Sequence, residues 1–331
     1  MLKVAINGFG RIGRTSFKIV IDKYPNDLEI VAINDLTDPK TLAHLLKYDS
    51  NYGIWNKNVS SDANHIIVDQ KPFTVYQEKE PFNLPWKDLG VDVVIESTGK
   101  FTDEAGARLH LQAGAKKVII SAPSEVKTFI LGVNAAKYSG EEIISNSSCT
   151  TNCIAPVAAV MNLKFGILKA MMTTIHAYTH DQNLQDGPHK DLRRARAAAF
   201  NMVPTSTGAA ISTTEVIPEL KGLFDGTAIR VPVIVGSISD ITFLLKKKVT
   251  VEEVNEALKQ ASIGELKNIM AVTDDPIVSS DIVGRSESAI VDLGLTQVVD
   301  GDMVKIFAWY DNEFGYSNRL VEQVINVGKS L

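Results

Sequence analysis

The first half of the chain alternates short apolar runs with segments of helical period. Residues 3–7 form an apolar run that meets Gly8-Phe9-Gly10-Arg11-Ile12-Gly13. Ile12, Ile19 and Val20 then recur at helical spacing until Tyr24-Pro25-Asn26-Asp27 breaks the pattern. A second strand is predicted over 28–34. It is followed by Asp38 as N-cap, Pro39 at the first helical position, and Leu42, Leu45 and Leu46 on the buried face. Further strands are predicted over 65–68, 91–96, 117–121 and 142–146, with a helix over 104–113. Strand–helix alternation on this scale predicts a parallel sheet covered on both faces, a doubly wound α/β domain over residues 1–148.

The second half has a different rhythm. A helix is expected over 149–165 and a strand over 171–176. Next comes a polar and basic stretch, 177–201, with little periodicity and with Arg193, Arg194 and Arg196 clustered. A stretch this long without regular structure is usually functional or lies at an interface. Strands over 228–234, 239–245, 288–292 and 303–310 suggest a mainly antiparallel sheet. The helix over 250–261 opens with a capping box of Thr250 and Glu253, and an amphipathic helix over 317–328 closes the chain. The expected second domain, 149–312, is therefore of α+β type, with 313–331 as a terminal segment.

Composition narrows the function classes. At 331 residues the chain has room for two domains, and 45% hydrophobic with 22% charged residues is ordinary globular composition. Lys and Arg total 34 against 39 Asp and Glu, a net charge of −5, which argues against a dedicated nucleic-acid binder. Two cysteines make no disulfide scaffold, so a reducing compartment, the cytoplasm, is the expected home. No apolar run approaches the length of a membrane span, and MLKVAINGFGRIGR reads as the start of a domain, not a signal peptide.

The glycine turn carries the first chemistry. It follows a strand, opens a helix, and is followed 22 residues after Gly13 by Asp35 at the end of the next strand. Gly8 permits the tight turn, Gly10 lets a pyrophosphate approach, and Gly13 allows close helix–strand packing. Around Arg11 and Ile12 the helix N-terminus offers free N–H groups to phosphates. Asp35 suits an adenosine ribose and repels a 2′-phosphate, which favours NAD over NADP. The first domain is thus Rossmann-like.

The second signal is Ser147-Ser148-Cys149-Thr150-Thr151-Asn152-Cys153, where a strand ends and a helix begins. Cys149 falls at that helix N-terminus, where free N–H groups favour a thiolate. Cys153 reads as a small buried hydrophobe, and the segment has too few ligands for a metal. Of six histidines, His176 ends a strand and is the candidate base. Ser148, Thr150, Thr179 and Thr205-Ser206-Thr207-Gly208, with Arg194 and Arg230, form a donor set suited to phosphate or, equally, to capping and turn chemistry.

These segments resemble the phosphorylating glyceraldehyde-3-phosphate dehydrogenase family of the bacterial, NAD-linked, glycolytic type. The similarity runs from AINGFGRIGR (5–14) through SNSSCTTNCIAP (145–156), HAYTHDQ (176–182) and PTSTGAA (204–210) to WYDNEFGYSNR (309–319). The resemblance implies that Cys149 attacks the aldehyde of glyceraldehyde 3-phosphate to give a thiohemiacetal, and that His176 is the base as hydride passes to NAD. Inorganic phosphate then releases 1,3-bisphosphoglycerate from the thioester. It implies Thr179 and Arg230 as ligands of the substrate phosphate, and Ser148, Thr150, Thr207 and Gly208 as the pocket for attacking phosphate, with Arg194 in the arginine-rich loop. On the cofactor side it implies Lys79, Ser121, Asn312 and Tyr316 beside the glycine turn and Asp35. It further implies a homotetramer in which 177–201 is the S-loop, and a terminal helix, 313–331, returning to the first domain.

Gly187, Ile211 and Phe314 depart from the family's usual residues, and none touches the cysteine, histidine or phosphate ligands. Two alternatives stay open on the sequence: erythrose-4-phosphate dehydrogenase, which passes its thioester to water, and an NADP-using gluconeogenic form.

Overall fold

Every residue from Met1 to Leu331 is described by a computed structural model. The chain divides into two units, Met1–Phe129 with Lys137–Ser147 and Ser317–Leu331, and Ile130–Ala136 with Ser148–Tyr316.

In the first unit the strands are β1 (Leu2–Asn7), β2 (Leu28–Asn34), β3 (Tyr48–Asp49), β4 (Gly53–Ile54), β5 (Val59–Ser61), β6 (His65–Val68), β7 (Lys71–Tyr76), β8 (Val93–Glu96), β9 (Lys117–Ile120) and β10 (Ile143–Ser145). The helices are α1 (Arg11–Lys23), α2 (Pro39–Lys47), α3 (Trp86–Leu89) and α4 (Glu104–Gln112). Eight strands form one sheet in the order β10-β9-β8-β1-β2-β7-β6-β5. It is parallel from β10 to β7 and antiparallel over the last two pairings. Val4, Ala5 and Ile6 in β1, and all of β8 and β9, are buried without alternation, the mark of strands covered on both faces. Phe17 of α1 meets Phe9 and Phe73 edge-on, at ring separations of 5.5 and 4.9 Å. Ser317–Leu331 joins this unit through Lys23 Nζ, which donates to Asn318 Oδ1 (2.7 Å), and Tyr24 Oη, which donates to Glu322 Oε1 (3.2 Å). Burial, with Glu322 beside it, pushes the Tyr24 phenol up to about 12.

In the second unit the elements are α5 (Cys149–Phe165), β11 (Ile167–Ala177), β12 (Val203–Ser206), α6 (Ala209–Val216), β13 (Phe224–Val231), β14 (Ser237–Leu245), α7 (Val251–Ile263), β15 (Met270–Thr273), β16 (Ala289–Val299), β17 (Met303–Tyr310) and the start of α8 (Phe314–Gly328). Seven strands pair in the order β12-β13-β11-β14-β17-β16-β15, with only β11–β13 and β15–β16 parallel. β14 and β17 bury alternate residues, and α5 packs on the buried face. α5 is apolar almost all round, as a helix enclosed by sheet and helices must be. The capping box of Thr250 and Glu253 forms as expected.

Some expectations change. Leu42 and Leu46 of α2 are buried, but Leu45 is 39% exposed, because the buried stripe of a nine-residue helix is narrower than three neighbouring leucines. The strand expected over 228–234 runs Phe224–Val231, and that over 288–292 extends to Val299. β7, β12, β15 and α6 escaped the hydrophobic pattern altogether. Beyond Ala177, which ends β11, the stretch to 201 contains neither helix nor strand, as expected. No helix is long and apolar enough to cross a membrane.

Candidate active site

In the first unit the chemistry gathers at the carboxyl end of β1. Gly8 turns the chain at φ +92°, and a Cβ there would lie 2.6 Å from Thr98 N. A Cβ on Gly13 would lie 2.1 Å from Gly8 O, so α1 sits against the turn as only glycine allows. Gly10 has open space where a Cβ would be, and as N-cap of α1 it makes no side-chain cap hydrogen bond. Asp35 accepts from Phe9 N (2.8 Å) and Thr37 N (2.9 Å), which ties the turn to the end of β2.

Asn7, Gly8, Gly10, Asp35, Lys79 and Thr98 line one cleft of about 450 Å³. An open glycine at a helix N-terminus, with a carboxylate at the rim, fits a dinucleotide's pyrophosphate and ribose. Arg11, Ile12, Gly13 and Ser121 do not line this cleft. Arg11 pairs with Asp49 at 2.8 Å, and Ser121 follows β9, its N–H bonded to Glu96 O (2.9 Å).

The second unit brings the expected nucleophile and base together. Cys149 is the first residue of α5, and the N-cap Ser148 accepts from Thr151 N (3.0 Å). Cys149 Sγ lies 3.4 Å from His176 Nε2. The parallel ladder of β11 and β13 sets His176 opposite Arg230, and Arg230 Nη1 reaches His176 Nδ1 (2.9 Å), Ala177 O (3.2 Å) and Thr179 Oγ1 (3.5 Å). Burial, then the Arg230 charge, push His176 down to about 3. Burial pushes the Cys149 thiol up, while Arg230 and hydrogen bonds from Thr150 pull it back. Deep burial holds the Cys153 thiol well above its ordinary value.

The two arginines differ. Arg194 pairs with Asp181, lies 3.5 Å from Asp191 Oδ2, and donates to Thr205 Oγ1 (3.0 Å) and Ser206 O (3.1 Å). Arg230 has no carboxylate at ion-pair distance, and its enclosed Nε has no partner. Arg230 is thus the better anchor for an anion. Thr207 accepts from Ala209 N (3.2 Å), and Gly208 caps α6 with open space beside its Cα. Asn312 Oδ1 accepts from Gly236 N (3.1 Å) and Ser237 Oγ (3.0 Å), leaving its amide N–H groups as the donors for a ligand. Tyr316 is buried in α8.

Sequence reasoning missed Tyr310. Its hydroxyl lies 2.9 Å from Thr150 Oγ1 and 2.7 Å from Thr174 Oγ1, and its ring meets His176 edge-on at 5.9 Å. The available signal was its place as the last inward residue of β17, after Val304, Ile306 and Ala308, where a phenol needs partners.

Comparison with known proteins agrees with this geometry. Residues 2–104 match the NAD binding domain of glyceraldehyde 3-phosphate dehydrogenase, and 148–312 match its C-terminal domain. The glyceraldehyde-3-phosphate dehydrogenase of Mycolicibacterium smegmatis is 57% identical over all of this chain and 99% of its own length. That of Mycobacterium avium is 56% identical with the same coverage. Glyceraldehyde-3-phosphate dehydrogenase 1 of Bacillus cereus is 54% identical over 97% of both chains. The chain therefore belongs to the glyceraldehyde-3-phosphate dehydrogenase family and is an NAD-dependent oxidoreductase.

Proposed function

We propose that the protein oxidises D-glyceraldehyde 3-phosphate and transfers the acyl group to inorganic phosphate, giving 1,3-bisphosphoglycerate, as a cytoplasmic step of glycolysis. The observation that carries this reading is the 3.4 Å contact of Cys149 Sγ with His176 Nε2, beside an arginine that lacks a carboxylate. Residues 1–148 serve as the cofactor domain, 149–312 as the catalytic domain, and 313–331 as the closing helix.

His176 Nε2 takes the Cys149 proton, the thiolate attacks the aldehyde carbon, and Nε2 returns the proton to the resulting alkoxide, which gives the thiohemiacetal hydroxyl and frees the base. Arg230 and Thr179 hold the substrate phosphate and so fix the aldehyde over the sulfur. Bound NAD supplies the hydride acceptor. Gly8, Gly10, Arg11, Ile12, Gly13, Asp35, Lys79, Ser121, Asn312 and Tyr316 are the residues that would hold it. His176 then takes the hydroxyl proton of the thiohemiacetal as the C–H bond breaks, which leaves a thioester on Cys149. Ser148, Thr150, Thr207 and Gly208 donate to the phosphate that attacks it, with Arg194 alongside. Retaining the acyl group on sulfur conserves the oxidation energy that direct attack by water would lose.

We also propose a homotetramer. The stretch expected to be the S-loop leaves Leu192 81% and Phe200 86% exposed, apolar surface that a second copy would cover. Arg194 and Arg196 are already paired with Asp181 and Asp186, so this stretch favours a protein neighbour over a polyanion.

The test is NADH formation from glyceraldehyde 3-phosphate and NAD, with and without inorganic phosphate, with Cys149→Ser as the blank. Turnover that needs phosphate and is absent from the variant is expected. Phosphate-independent turnover, or faster turnover with erythrose 4-phosphate, would overturn the assignment.

A further inference from the structure

We propose that Ser237 is a positioning residue of the cofactor site: its hydroxyl, together with the Gly236 N–H, fixes the Asn312 amide so that its N–H groups face the nicotinamide carboxamide. This rests on the functional reading above, in which Asn312 holds that end of NAD. It adds a residue that does not itself touch the cofactor.

The count of donors and acceptors carries the argument. A backbone N–H only donates, so the amide atom 3.1 Å from Gly236 N must be the oxygen of Asn312. Ser237 Oγ accepts from Ala177 N (3.1 Å), which leaves its own hydrogen for Asn312 Oδ1 at 3.0 Å. Two donors therefore meet one oxygen, and the amide nitrogen is turned away from both. Ser237 is 1% exposed, so its hydroxyl is enclosed and acts through the amide.

The surrounding backbone holds this arrangement. Ser237 and Tyr310 form the end rung of the β14–β17 ladder, and Asn312 lies two residues beyond it with its side chain folded back onto the start of β14. Gly236 adopts φ +95°, and a Cβ there would lie 2.6 Å from Ser279 O, so only glycine brings that N–H to the amide. Beside Asn312, the Asp311 carboxylate accepts from Gly284 N (2.8 Å), Glu313 N (2.9 Å) and Phe314 N (2.8 Å). A nicotinamide carboxamide carries both an oxygen and an NH2 group, and so can pair with a loose amide in either sense. An amide fixed in advance admits only the sense in which its N–H meets the carboxamide oxygen, and binding need not order it.

The experiment titrates NAD, and ADP-ribose, which lacks the nicotinamide, into the protein freed of bound nucleotide, by calorimetry. Ser237→Ala should weaken NAD about tenfold and leave ADP-ribose within about twofold of wild type, as loss of one oriented hydrogen bond would. Thermal unfolding is followed alongside, because the variant also leaves Ala177 N without its acceptor. Asn312→Ala should weaken NAD at least as much, and adding Ser237→Ala to it should change NAD affinity no further. Unchanged NAD affinity in Ser237→Ala, or NAD and ADP-ribose weakened alike, overturns the proposal while a weakened Asn312→Ala still upholds the cofactor reading. So does a double variant weaker than Asn312→Ala by the full factor seen for Ser237→Ala. If Asn312→Ala binds NAD as wild type does, the placing of Asn312 at the nicotinamide falls and the proposal falls with it. If Ser237→Ala fails to fold, Ser237→Cys, of similar size and with a weaker donor, should show the same selective loss at about threefold.

Discussion

Trp86 Nε1 donates to His110 Nδ1 across 3.0 Å. An indole N–H only donates, so this contact fixes the imidazole proton on Nε2, toward Glu96 Oε2 at 3.0 Å. Glu96 also accepts from Asn7 Nδ2 and from Thr98 N, and Asn7 and Thr98 line the cleft at the carboxyl end of β1. Glu96 and His110 are fully buried. Trp86→Phe leaves Nδ1 enclosed without a donor and should destabilise the chain by about 1–3 kcal/mol or more in denaturant titration. NAD affinity should fall in parallel, because the relay holds two residues of the cleft.

Two glycine substitutions should separate folding from cofactor binding. Gly13→Ala puts a methyl group 2.1 Å from Gly8 O, a backbone atom that cannot yield, and soluble folded protein should be lost. Gly10→Ala meets open space, so thermal unfolding should stay within a few degrees while NAD binding by titration weakens about tenfold or more. Equal damage from both would mean that Gly10 serves the turn and not the ligand.

Tyr310→Phe keeps the ring against His176 but removes the oxygen between Thr150 and Thr174. Freed from that contact, the Thr150 hydroxyl loses its orientation. KM for inorganic phosphate should rise about tenfold, while the NADH burst, which precedes phosphate attack, keeps its rate. A slowed burst with unchanged KM for phosphate would assign Tyr310 to His176 instead.

Acid stability should carry the signature of His176. Its folded value is depressed to about 3 from 6.5, so between those limits the unfolded chain binds a proton that the folded chain refuses. This contribution is complete above pH 6.5 and is lost as pH falls toward about 3, at up to about 1.4 kcal/mol per pH unit. His176→Asn should flatten the dependence of unfolding free energy on pH in that window relative to wild type. Parallel curves for the two proteins would refute a buried neutral imidazole.

Sequence pattern served best where burial is one-sided or complete. The order β1, glycine turn, α1, β2 and the span of α5 were legible because apolar period and breakers agree there. β12 was not: Val203–Ser206 carries Pro204 and lies at a sheet edge, where proline is tolerated and hydrophobic pattern is weak. α6 hid behind Ser212, Thr213 and Thr214, poor helix formers that this helix buries. Cys149 and His176 could be proposed as a pair, but their contact spans 27 residues and depends on how β11 meets α5. Tyr310 comes from β17, 160 residues beyond Thr150, and no local spacing announces it.

The pairing of His176 with Arg230 is a rung of a parallel ladder, set by backbone hydrogen bonds. The strand pair works as a ruler for the chemistry. One residue inserted into β13 ahead of Ile229 would bring Ile229 opposite His176 and send the side chains beyond it to the other face. Evolution can therefore exchange side chains along these strands more freely than it can change their length. An insertion or deletion here would abolish the reaction while leaving enough of the core to fold.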